Sequence, residues 1–178
     1  MQAATIASRK LGSAGKPAMH SEVKLVEGEI WVRGPNVMRG YWNDAAASAA
    51  ALTSAGWFRT GDLARVDDDG YYWIMGRSKD VILSGGENVY PAELENVLAE
   101  CPLIAEAAVV GMQDAKWGEA ACAVVVRMPG AKLDEAAVLA LLADRLARFK
   151  HPRRIVFVEQ LPKNALGKVQ KSELRKLL

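Results

Sequence analysis

The loop Pro162-Lys163-Asn164-Ala165-Leu166-Gly167-Lys168-Val169 places a glycine directly before a long cationic side chain. Glycine admits φ > 0 and lets backbone come close to a ligand. Lysine carries a point charge and three donors on a flexible stem, which suits an anionic group whose charge changes during reaction. Alone, a Gly-Lys pair beside a basic tail is a solvated turn more often than a site. Two further stretches set glycine beside polar groups. One is Arg59-Thr60-Gly61-Asp62; the other is Gly76-Arg77-Ser78-Lys79-Asp80 with Ser84-Gly85-Gly86-Glu87-Asn88. Asp62, after a Thr-Gly turn at the start of a strand, offers a carboxylate that can accept two hydrogen bonds from a diol such as ribose. An Asp that stabilises its own turn is the plain alternative. Arg77 presents a planar fork for phosphate or ribose oxygens, against a solvated linker arginine. Gly85-Gly86 either lets a narrow ligand pass close to backbone or makes a tight turn.

The elements that would position these groups follow from periodicity. Val23 and Leu25, then Glu29-Ile30-Trp31-Val32-Arg33, alternate as two strands around Gly28, a hairpin. Asp44 is the N-cap of a short alanine-rich helix to Leu52. Leu63-Val66 and Tyr71-Met75 are strands joined at Asp67-Asp68-Asp69-Gly70. The first ~75 residues therefore read as an all-β piece with one small helix, part of a barrel rather than a complete one. The domain boundary is placed at the charged link after Gly76, giving 1–76 and 77–178. Beyond it come a short strand Val81-Leu83, a glycine loop Ser84-Asn88 and a helix from Pro91 to about Glu100. Strands Ile104–Met112 and Ala120–Met128, a helix from Asp134 to Leu146, strand Ile155-Val158 and a final helix Ser172–Leu178 complete it. The whole is an α+β domain preceded by a partial β-barrel segment.

Bulk properties narrow the classes. The chain has 178 residues, 51% hydrophobic and 25% charged, ordinary for a globular protein able to bury its own core. A net charge of +2 gives no support to a nucleic-acid partner. Cys101 and Cys122 lack CxxC spacing, so no disulfide framework is expected and a reducing, cytoplasmic compartment is the default. His20 and His151 lack ligand spacing, so no metal site is expected. Met1–Gly15 has no apolar core of a signal peptide, and no apolar run of roughly 18 residues exists to span a membrane.

Four motifs in order resemble the C-terminal third of the adenylate-forming acyl-CoA synthetases. Gly28-Glu29-Ile30-Trp31-Val32-Arg33-Gly34-Pro35 with Met38-Arg39-Gly40-Tyr41 looks like the family's barrel segment. Gly56-Trp57-Phe58-Arg59-Thr60-Gly61-Asp62 is similar to its ribose-binding motif. Gly76 to Asp80, with Gly85 through Glu95, resembles its hinge and pantetheine-contact motif. Pro162 to Lys168 resembles its catalytic-lysine loop, with Asn164, Val169 and Lys171 where Thr, Ile and Arg are frequent. The Ser-Gly-Gly-Glu-Asn form is most similar to fatty-acyl and related carboxylate ligases.

The resemblance implies roles. Asp62 and Arg77 would bind nucleotide, Lys79 would be the hinge, and Ser84, Gly85 and Gly86 would line the CoA path. Lys168 would bridge carboxylate and α-phosphate. ATP with Mg2+, CoA and a fatty acid would be the substrates of a full-length enzyme. The phosphate loop, acyl pocket and magnesium-binding glutamate would belong to a missing N-terminal domain, upstream of residue 1, so this chain alone is expected to be inactive. The alternative is a non-catalytic interaction module that associates in trans or forms a homodimer through the uncovered β-segment 22–75. Trp31, Trp42 and Trp57 are expected to be exposed on that segment.

Overall fold

The structure is a computed structural model that describes residues 10–176 and 178. Residues 1–9, most of the Met1–Gly15 stretch read above as lacking a signal peptide, lie outside the described residues, as does Leu177. The chain divides into two compact units between Lys79 and Asp80.

In the first unit β1 (Glu22–Val26), β2 (Glu29–Arg33), β3 (Phe58–Val66) and β4 (Tyr72–Arg77) form one antiparallel sheet in sequence order. The β1–β2 hairpin turns at Glu27 and Gly28, both at positive φ, as the alternation around Gly28 predicts. Helix α1 (Ala45–Ala51) starts where Asp44 accepts the Ala47 N–H at 2.8 Å, the expected N-cap bond. Val23, Leu25, Ile30, Val32, Ala64 and Tyr72 make a small core on one sheet face. The sheet is open: among the described residues β1 and β4 do not pair, so the expected barrel segment is a four-stranded sheet with no closed barrel. Tyr72 instead bonds to the N-terminal segment, through Ala14 and Gly15. That segment therefore has more to pack against than its small, polar composition suggests.

The second unit holds β5 (Ile82–Ser84), β6 (Glu87–Val89), α2 (Pro91–Ala99), β7 (Ile104–Asp114), β8 (Gly118–Arg127), α3 (Glu135–Ala143), β9 (Arg154–Val158) and α4 (Lys171–Lys176). The long β7–β8 hairpin is its spine. One edge of β8 pairs β7; the other is shared by β5, at Ser84–Gly118, and by β9, which runs parallel. β8 reads as a continuous apolar run because both of its faces are covered. Ala121, Ala123 and Val125 face the helices α2 and α3 through Leu94, Leu98, Val138 and Leu142. Cys122, Val124 and Val126 face Leu161 and Leu174 on the other side. Both cysteines are buried and free, and burial pushes the Cys122 thiol up, away from thiolate chemistry.

Two expectations change here. The helix read to Leu146 stops at Ala143, with Leu146 half-buried beyond it. The glycine loop Ser84–Asn88 is a hairpin: β5 and β6 pair from Ile82–Val89 to Ser84–Glu87. Gly85 and Gly86 form its two-residue turn with φ of 61° and 87°. Two successive positive φ values are those of a tight type I′ hairpin turn, and glycine adopts each without strain. Among the described residues no helix is long and apolar enough to cross a membrane.

Candidate functional site

Asp62 and Arg77 are cross-strand neighbours on β3 and β4. Arg77 Nη1 donates to Asp62 Oδ1 at 2.8 Å, with the two side chains 51% and 33% exposed, so the pair is open to solvent. A carboxylate and a planar donor fork thus stand side by side, able to offer acceptors and donors to one polar ligand. Asp62 does not follow a turn into a strand, as the sequence suggests; it lies inside β3. The backbone at Gly61 takes φ 72°, and the ladder shifts register on both sides, near Glu29 of β2 and Leu63 of β3. Side chains replace the lost ladder bonds. Thr60 Oγ1 donates to the Ile30 carbonyl at 2.7 Å, and Gly61 N–H donates to Glu29 Oε1 at 2.7 Å. Such a bulge re-aims a side chain without ending the strand.

Glu29 is a residue that sequence reasoning missed. Its other oxygen accepts from Trp31 Nε1 at 3.1 Å. The Arg59 guanidinium lies 5.0 Å from the Trp31 ring, and Lys24 and Arg33 lie 4.2 and 4.6 Å from that of Trp57. Trp31 and Trp57 are therefore half-buried beneath cations rather than exposed as expected, whereas Trp42 is 92% exposed. Aromatic faces attract such cations, which cover apolar area that would otherwise meet water.

Lys79 sits in a short 3-10 turn, Ser78–Asp80, at the point in the chain where the first unit ends and the second begins. In the second unit Ser84 pairs with Gly118, and Gly85 N–H donates to the Trp117 carbonyl at 2.9 Å. The Trp117 indole covers Gly85: a Cβ there would stand 2.5 Å from Cε3. Arg153 stacks over the same ring at 4.6 Å. Trp117 and Arg153 are a second omission, because nothing in the spacing of the chain links them to Gly85.

Lys168 stands on an exposed loop between Leu161, which is buried, and Val169, half-buried against the α4-side core. Lys163 and Val169 bridge across the loop base, and Lys163 pairs with Glu106 at 2.6 Å. The last helix is held by buried Leu174 and by Lys171, whose ammonium donates to Glu95 at 2.7 Å. Glu95 also accepts the Val109 N–H. The loop ends are thus tied to α2 and β7, while no ion-pair partner for the Lys168 ammonium occurs among the described residues. The structure brings Asp62 and Arg77 together, and Ser84, Gly85 and Gly86 together; Lys168 is on a separate loop of the second unit. Among the described residues no group of three His, Cys, Asp or Glu side chains is placed to hold a metal ion.

Residues 93–168 match the family model of the AMP-binding enzyme C-terminal domain. Over 97% of its length the chain is 53% identical to an indoleacetate–CoA ligase of Aromatoleum aromaticum, of which it covers 36%. Residues 93–168 belong to the C-terminal domain family of the AMP-binding, adenylate-forming enzymes. The chain is also 42% identical, over 95% of its length, to a long-chain-fatty-acid–CoA ligase of Mycobacterium tuberculosis, covering 35% of that protein. Among solved structures, the o-succinylbenzoate CoA synthetase of Bacillus subtilis, in complex with an acyl-adenylate intermediate, matches with a TM-score of 0.88. The two are 39% identical, and the match covers 93% of this chain and 36% of that one. The chain therefore spans about a third of the length of the relatives it matches. The acids in the names of these relatives differ: indoleacetate, a long-chain fatty acid and o-succinylbenzoate.

Proposed function

We propose that this chain serves a complete ATP-dependent carboxylic acid–CoA ligase, in which it supplies the catalytic lysine, part of the nucleotide site and the thiol-side turn. In the adenylation step Lys168 bridges the substrate carboxylate and the α-phosphate. Its charge stabilises the negative charge that develops as pyrophosphate leaves, from a position set before reaction. Asp62 accepts from both ribose hydroxyls, and Arg77 reaches the ribose and nearby phosphate. Residues 77–178 form the domain that moves and 1–76 belong to the larger domain, with Lys79 as the hinge. After rotation Ser84, Gly85 and Gly86 line the path of pantetheine, and the CoA thiol attacks the acyl-adenylate. One loop leaves before a glycine turn arrives, a gating logic that a hinge can serve. The acid is a hydrophobic carboxylate, a fatty acid on the sequence motif or an arylacetate on the 53% identity to the indoleacetate ligase. The cytoplasm, with its reducing poise, suits two free buried cysteines.

The observation that carries this reading is Lys168 itself: an exposed cation on a loop braced at both ends. The test uses the full-length ligase, with ATP–pyrophosphate exchange measured against fatty acids and arylacetates. Lys168→Ala is expected to reduce exchange strongly while sparing thioester formation from a supplied acyl-adenylate. Lys79→Pro is expected to do the reverse, since proline fixes φ and blocks the rotation. Equal loss of both half-reactions in both variants refutes the assignment. The chain by itself is expected to show no exchange; robust exchange would refute that part.

A further inference from the structure

We propose that Asn164 is the positioning residue of the Lys168 loop. Its Oδ1 accepts two backbone N–H groups, that of Leu166 at 3.0 Å and that of Lys168 at 2.9 Å. Its own N–H donates to the Lys168 carbonyl at 2.9 Å, and its carbonyl accepts the Gly167 N–H at 2.9 Å. These bonds all close on the turn 164–168. Apolar burial cannot hold that turn, because residues 163–168 are all exposed and Leu166 is 84% exposed. The core clamps the loop only at its ends, Leu161 and Val169. Between those ends the amide oxygen of Asn164 is what sets the backbone at Lys168. A short polar side chain that captures N–H groups a few residues on is the usual way a loop without a core is fixed.

The consequence is kinetic and rests on the reading of Lys168 as the adenylation cation. A lysine has several rotatable bonds and gains no direction from its own stem. With the N–H of Lys168 pinned, its Cα–Cβ direction is set before substrate arrives, so less reorganisation remains for the transition state. Without the pin the N–H turns to water, the turn samples other conformers, and the ammonium reaches its place less often. Asn164 spends its Oδ1 on the loop and so acts through Lys168, which makes it a positioning residue rather than a catalytic one. Thr carries an oxygen that can also accept backbone N–H groups, so it is the conservative replacement for Asn164.

The test compares Asn164→Ala, Asn164→Thr and Lys168→Ala in the full-length ligase, together with amide hydrogen exchange on the purified chain. Asn164→Ala is expected to lower kcat for adenylation about tenfold or more, as small misplacements do. KM for ATP is expected to change less than kcat, because the Lys168 bridge acts on charge that develops in the transition state, and thioester formation from supplied acyl-adenylate, which does not use Lys168, is expected to stay within about twofold. Asn164→Thr restores most of the rate. Amide exchange at Leu166 and Lys168 accelerates in Asn164→Ala and recovers in Asn164→Thr, with Tm unchanged. Full adenylation in Asn164→Ala while Lys168→Ala is inactive overturns the proposal, as does equal loss of both half-reactions. Unchanged exchange at both amides overturns it whatever the activity. If Lys168→Ala itself keeps full adenylation, the catalytic reading of Lys168 is what fails; amide exchange then still reports separately whether Asn164 holds the loop.

Discussion

Gly85 and Gly86 share one turn, yet an added methyl group meets different surroundings at each. At Gly85 a Cβ would lie 2.5 Å from Trp117 Cε3 and 2.9 Å from Cζ3, whereas at Gly86 nothing lies within 4 Å. Both positions have positive φ, so either alanine carries left-handed strain of about 1–2 kcal/mol. Loss of entropy from the unfolded chain returns about 0.4–1 kcal/mol of this. Gly86→Ala is thus expected to cost about 0.5–1 kcal/mol. Gly85→Ala must in addition displace an indole that carries the Arg153 guanidinium 4.6 Å over its ring. Forcing a methyl group into an occupied contact adds about 1–3 kcal/mol, which brings this variant to about 1.5–4 kcal/mol. Because the chain has two compact units, the readout must belong to the second. Amide exchange of Val124 and Val125, buried on β8, reports the opening of that unit. The excess cost of Gly85→Ala is expected to disappear in a Trp117→Ala background, the signature of a pairwise contact. Equal costs at the two glycines, or an excess that survives without Trp117, would refute the reasoning.

Glu29→Ala removes the acceptor of both Gly61 N–H and Trp31 Nε1. It is expected to destabilise the first unit by about 1–3 kcal/mol, with Glu29→Gln losing less; urea unfolding followed by tryptophan fluorescence checks this, and no difference between Glu29→Ala and wild type counts against the bulge as described. Glu95→Ala strands the Val109 N–H and frees Lys171, so it is expected to cost more than Lys171→Ala, which leaves Glu95 its backbone bond; amide exchange at Val109 separates them, and the reverse order would refute the bracing role. The Asp67 carboxyl is held well below the usual carboxylate range, first by the Lys10 ammonium at 2.7 Å and then by Trp73 Nε1 at 3.0 Å. Its folded pKa is depressed, so its stabilising effect is full above the unfolded value of 3.8 and is lost as pH falls below it. Lys10→Ala is expected to raise the Asp67 pKa and to move acid unfolding of the first unit to higher pH; carboxyl NMR titration decides, and an unmoved Asp67 refutes the pairing.

Much of the fold was legible because its signals are local. The two hairpins of the first unit announce themselves by alternation and by Gly28 and Asp67-Gly70, and helices α1 and α3 begin at the Asp caps that the sequence offers. The open sheet was not legible, because whether β1 closes against β4 depends on strand twist and partners far along the chain rather than on any residue within either strand. The second misreading, a glycine loop for Ser84–Asn88, arose because a three-residue strand such as β6 is too short to show a period. Only the pairing Ile82–Val89 and Ser84–Glu87 makes it a strand.

The candidate site divides along the same line. The charged groups proposed to meet a ligand, Asp62, Arg77 and Lys168, stand out by type and by neighbouring glycines. Groups that hold them in place do not, because each acts across a distance that sequence spacing does not encode. Glu29 reaches Gly61 across 32 residues, and Lys171 reaches Glu95 across 76. The partner is chosen by sheet register and helix packing, not by the chain between them. Asn164 is the exception, since it reaches Lys168 over only four residues. An Asn shortly before a Gly-Lys pair is a local capping signal, readable from the sequence. Solvated turns use the same device, so the bonds from Leu166 and Lys168 N–H to Asn164 fix the loop without naming the task of its lysine. The proposed catalytic role adds a demand for a cation whose direction is set before reaction, and in Asn164 that demand coincides with local turn chemistry.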